Sequence, residues 1–130
     1  MDERLEKALD ISNYMVTLNN QTRILKEKYY ENLIYYFSGA TFTVSRELIN
    51  FVKGLIDNEQ QSVIISDDND IPVEITNLEN FHSSLLDIYF TASNEYFVEY
   101  NNIKKNRSAE GILDLWAKAF YFLPNAITHS

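Results

Sequence analysis

The sequence predicts an α+β protein: two long antiparallel helices plus a small antiparallel three-stranded sheet covered by a helix. Three observations carry that expectation. Apolar or near-apolar residues recur every three or four positions from Ala8 to Tyr36, and again from Leu78 to Ile103. Two short runs rich in β-branched residues lie between them, Thr41-Phe42-Thr43-Val44 and Ser62-Val63-Ile64-Ile65-Ser66. Neither helical stretch contains a proline, the two in the chain being Pro72 and Pro124.

The elements follow in order within one domain, residues 1–130. Asp2 can cap a first helix, with Glu3 and Glu6 in its first turn. The stripe Ala8, Ile11, Met15, Leu18, Thr22, Leu25, Tyr29, Leu33, Tyr36 extends this helix over 2–37, and Gly39 is its expected stop. Asn13, Asn19 and Asn20 weaken its middle, so that a continuous and a kinked helix both remain open. A strand over 41–44 comes next. Ser45 or Thr43 then caps a helix over 46–58, whose apolar face holds Leu48, Ile49, Phe51, Val52, Leu55 and Ile56. Residues 62–75 read as a β-hairpin around Asp67-Asp68-Asn69-Asp70, with Pro72 placing its second strand at an edge. Thr76 or Asn77 caps a second long helix over 77–106, and Ser108 opens a short helix over 109–119.

Composition excludes several classes of function. At 130 residues the chain is long enough for a buried core. It has no cysteine, so thiol chemistry and disulfides are excluded. No apolar run approaches the roughly 18 residues of a membrane span. The start, Met1-Asp2-Glu3-Arg4, lacks the pattern of a secretion signal, and a cytoplasmic protein is expected. The net charge is −8, and residues 61–80 hold five acids and no base. Such a chain repels phosphate backbones, so neither nucleic acid nor membrane is an expected partner.

Catalytic constellations are absent from the pattern. The two histidines, His82 and His129, lack a partner at catalytic or metal-binding spacing. Gly39, Gly54 and Gly111 are isolated and form no phosphate loop. The acidic turn 67–70 invites a calcium reading, but an EF-hand needs Gly at its sixth position. Counting from Asp67 the sixth residue is Pro72, and from Asp68 it is Val73. No catalytic residue, cofactor or metal site is therefore expected. The signal that remains is aromatic: nine Tyr and eight Phe, more than a small core needs. Tyrosine is favoured at protein–protein surfaces.

Two stretches carry a resemblance. One is Leu5-Glu6-Lys7-Ala8-Leu9-Asp10-Ile11-Ser12-Asn13-Tyr14 with Thr17-Leu18-Asn19-Asn20-Gln21. The other is Tyr89-Phe90-Thr91-Ala92-Ser93-Asn94-Glu95-Tyr96, running on to Glu99-Tyr100 and Ile103-Lys104-Lys105. Together they resemble small proteins of T4-like marine phages, cyanophages included. The resemblance implies a phage or marine-microbial origin, with the host cytoplasm as the location if the chain is phage-encoded, and carries over no functional residue.

The functional expectation is a non-enzymatic assembly protein acting by protein–protein contact. Its partner would be a second copy, as a dimer, or a host or phage protein. The expected interface is the first stripe: Ile11, Met15, Leu18, Leu25, Tyr29 and Tyr36. The alternative is a small-ligand or cation-binding module built on the acidic hairpin 67–70.

Overall fold

A computed structural model describes residues 2–106 of the chain. The expected short helix 109–119, Gly111 and His129 lie outside them. The described elements are α1 (Glu3–Asn32), β1 (Ile34–Phe37), β2 (Ala40–Thr43), α2 (Arg46–Asp57), β3 (Val63–Ser66), β4 (Pro72–Ile75) and α3 (Leu78–Asn106). The class is α+β, as the sequence predicts. Residues 27–96 form one compact unit. Residues 2–26 belong, with residues 97–106, to a second.

The first helix is shorter than its stripe suggests. It runs without a break through Asn13, Asn19 and Asn20, then ends at Asn32 rather than residue 37. The physical reason is the run Leu33-Ile34-Tyr35-Tyr36-Phe37. Bulky β-branched and aromatic side chains lose rotamer freedom in a helix and suit a pleated strand. Ser38 (φ 48°) and Gly39 (φ 78°) then close a two-residue turn. Positive φ at both positions is the turn type whose twist matches a hairpin. Gly39 is thus a hairpin residue and not a helix stop, and β1 pairs antiparallel with β2, Phe37 opposite Ala40.

The expected three-stranded sheet is accordingly replaced by two separate two-stranded sheets. The partner of the strand at 40–43 comes from residues assigned by periodicity to the helix. The second hairpin matches expectation more closely, with Val63 opposite Ile75 and Ser66 opposite Pro72.

The remaining boundaries follow their caps. Ser45 Oγ accepts from the Leu48 N–H at 3.1 Å and opens α2. At its other end the Glu59 N–H bonds the Ile56 carbonyl and the Gln60 N–H the Leu55 carbonyl, both at 2.9 Å. That is a Schellman closure, with Glu59 at φ 63° where glycine is usual. Asn77 Oδ1 accepts from the Asn80 N–H at 3.0 Å and opens α3.

Within residues 27–96, one cluster forms the core. Phe81 is its centre, 2% exposed. The rings of Tyr35, Phe37 and Phe42 lie 5.7, 5.4 and 5.4 Å from it, one roughly parallel and two edge-on. Edge-to-face and offset pairs are the favoured aromatic geometries. Val44, Val52, Ile75, Leu78 and Leu85 are fully buried around this group. Both hairpins and both neighbouring helices therefore contribute to the same core. In the other unit, Ile11, Leu18 and Leu25 are buried on α1 at seven-residue intervals. Tyr14 Oη donates there to the Asn106 carbonyl at 3.1 Å.

Two predictions follow from this packing. Phe81→Ala should cost about 3–5 kcal/mol, the usual range for a buried phenylalanine. Urea unfolding measures it, and a cost under about 1 kcal/mol would remove Phe81 from the centre of the core. Two of the left-handed positions should respond with opposite signs. Gly39→Ala should lose about 1 kcal/mol, and Glu59→Gly should gain up to about the same.

Candidate interaction surface

The expected interface residues separate into two groups. Ile11, Leu18 and Leu25 are buried within the single chain, and Met15 and Tyr29 are half-buried. A second copy cannot reach the first three without displacing what covers them. Tyr29 stacks on Tyr96 with ring centroids 4.5 Å apart, beside a Lys28–Glu95 ion pair of 2.8 Å. Tyr36 differs from all of these. It is 74% exposed on β1, outside any helix.

Periodicity found the covered side of each long helix, but not what lies opposite. Leu5, Leu9 and Val16 fall within about 40° of one another around α1, on the side away from Ile11, Leu18 and Leu25. All three are exposed. On α3, Phe90 and Phe97 are seven residues apart and exposed, on the side away from Leu85 and Ala92. Isolated surface hydrophobics need no explanation, but clustered ones mark contact surfaces.

The acidic turn is built as an internal clamp. Asp67 is buried, and both its carboxylate oxygens are occupied. Oδ1 accepts from the N–H groups of Asn69 and Ile71 at 2.8 and 2.9 Å. Oδ2 accepts from the Thr41 N–H on β2 at 3.0 Å. The neighbouring Asp68 donates its N–H to the Thr41 carbonyl at 2.8 Å and accepts from the Thr43 hydroxyl at 2.6 Å. The turn of one hairpin thus closes the outer edge of the other. The Thr41 and Ile71 N–H groups hold the Asp67 carboxyl below its ordinary 3.8, with Asn69 adding to them, against the upward push of burial.

Among the described residues, the other strand of that first sheet is open. The Val44 N–H bonds the Leu33 carbonyl at 2.8 Å, which makes 33/44, 35/42 and 37/40 the hydrogen-bonded pairs of the hairpin. Ile34 and Tyr36 therefore turn their N–H and C=O groups away from β2. Among the described residues, no partner meets these groups.

Other candidates carry less. His82 is half-buried, and among the described residues no three His, Cys, Asp or Glu side chains could jointly hold a metal ion. A depression of about 290 Å³ is lined by Asn32, Asp87, Thr91 and Glu95 over Ile88 and Ala92. Its Glu95 is already engaged by Lys28 and, at 3.4 Å, by Asn32. Among the described residues, no helix is long and apolar enough to cross a membrane. No protein-family model, curated protein or solved structure matches the chain. The reading of the surface therefore rests on the chain's own geometry.

Asp67 gives a pH-dependent prediction. Its folded pKa is lowered, so its contribution to stability is complete above the unfolded value and is lost as pH falls through the folded one. Asp67→Asn keeps one acceptor but turns an NH2 group toward backbone donors. Its melting temperature should lie below wild type at pH 7, and the gap should close as pH drops below 3.8. A gap that stays constant down to pH 2 would show that the charge is not what the clamp uses.

Proposed function

We propose that this protein acts by protein–protein contact, as a non-enzymatic assembly factor whose first partner is a second copy of itself. The observation that carries the reading is the large apolar side chains left in solvent on regular elements, among them Leu9, Val16, Tyr36, Phe90 and Phe97. A core of buried aromatics is already complete around Phe81, so these residues are surplus to it. Surplus apolar and aromatic surface on regular elements is what assembly interfaces use.

The antiparallel pairing of the two long helices belongs to the same reading. The Tyr29–Tyr96 stack and the Lys28–Glu95 pair support it in one unit, and the Tyr14–Asn106 bond in the other. With both seams covered inside one chain, self-association must use other faces. The cation-binding alternative is weakened by the geometry of the acidic turn, since Asp67 spends both oxygens on backbone N–H groups.

Light scattering on a gel-filtration column, over a concentration series, tests the proposal. A mass of two chains or more supports it. A mass of 15.2 kDa at every concentration contradicts self-assembly.

A further inference from the structure

We infer that two copies join through the open edge of β1, so that two two-stranded sheets become one four-stranded sheet across a twofold axis. The inference rests on the self-assembly reading and names its contact.

The hydrogen-bonding groups determine the register. Ile34 and Tyr36 are the β1 residues whose N–H and C=O groups face outward. In an antiparallel pair these must meet groups of the same kind. Two copies of β1 satisfy this when Ile34 of each faces Tyr36 of the other, with the axis passing through Tyr35. Four backbone hydrogen bonds then form, and no outward group between 34 and 36 is left over.

The side chains agree with that register. Tyr35 and Phe37 turn inward to Phe81, so Ile34 and Tyr36 share the outer face. Pairing sets the exposed Tyr36 ring beside Ile34 of the second copy. An aromatic ring beside a β-branched residue is a favourable cross-strand pair, and here it occurs twice by symmetry.

Charge selects this edge and this partner. No charged residue occurs from Asn32 to Ser45, the longest uncharged run in a chain of net charge −8. Two acidic molecules can meet there without bringing like charges opposite one another. The competing edges are guarded. Asp67 and Asp68 already occupy the edge of β2. Pro72 and Glu74 lie on β4. The edge of β3 is uncharged, but it leads straight into Asp67, Asp68 and Asp70, which pairing would double. Charge and proline are the usual protections of strand edges. Tyr36 stands on the edge that lacks both.

The test uses the full chain and five variants. Tyr36→Lys places a charge on the outer face of the edge, at a site exposed enough to leave the fold intact. Circular dichroism checks the fold. The wild type should be a dimer by light scattering, and Tyr36→Lys should halve that mass. For register, Ile34→Cys and Tyr36→Cys are made singly, in a chain with no other cysteine. Facing residues of a hydrogen-bonded pair lie about 5.5 Å apart, within disulfide reach. Oxidising an equal mixture should give the mixed disulfide well above the share that random pairing yields. A dimer that survives Tyr36→Lys and cross-links at random overturns this inference and leaves self-assembly standing. Loss of that dimer on Leu9→Glu or Phe97→Glu instead would move the contact to a helix face. A wild type that is monomeric throughout overturns both.

Discussion

Asp67 joins two hairpins, neither of which could stay folded alone. A two-stranded ribbon in water is marginal, because it has one ladder and little apolar surface to bury. This chain has two such ribbons, separated in sequence by α2. The carboxylate of Asp67 holds its own turn closed through Asn69 and Ile71 and reaches across to Thr41. Asp68 completes the junction with the Thr41 carbonyl. Beneath this polar junction, Phe81 gathers Tyr35, Phe37 and Phe42 from the first hairpin, and Ile75 is buried in the same core. The two devices are complementary. Aromatic packing supplies most of the favourable energy and tolerates small shifts. The buried carboxylate supplies direction, because it is satisfied in one arrangement only.

That junction also gives the sheet its polarity. A strand edge must be paired, covered or left to a partner. On β2 the edge is closed from within the chain. On β1 nothing described closes it, and the residue standing there is a tyrosine with three-quarters of its surface in water. The acids concentrated between residues 61 and 80 make sense in this frame. They clamp one edge and repel company at the second hairpin, while the first hairpin carries no charge.

Much of this was legible in the sequence, and the failures share one cause. The stripes of the long helices were legible in part: Ile11, Leu18 and Leu25 are buried, as are Leu78, Phe81, Leu85 and Ala92, whereas Ala8 and Tyr36 are exposed. The caps at Ser45 and Asn77 were legible because a polar residue before an apolar run has one main use. The stretch 33–37 was misassigned because Leu33 and Tyr36 continue a helical spacing by coincidence. The contrary signal was present in five consecutive bulky residues followed by Ser-Gly. That pattern marks a strand and a turn more strongly than three-residue spacing marks a helix. The expected interface failed in part for a different reason. Periodicity identifies an apolar face but not whether the chain covers that face itself. Tyr36, included for its place in a helical stripe, is exposed because it stands on a strand. Asp67 was legible as part of a hairpin turn, but not as a buried residue. Its burial depends on Thr41, 26 residues away, and no local pattern records that.

Native-state hydrogen exchange at single-amide resolution, over a concentration series, tests the account most directly. One edge of the first sheet is closed by Asp67, and among the described residues nothing closes the other. The Thr41 amide should therefore be protected at every concentration, while protection of the Ile34 and Tyr36 amides should rise as the protein is concentrated. Free exchange at Thr41, or exchange at Ile34 and Tyr36 that ignores concentration, would contradict it.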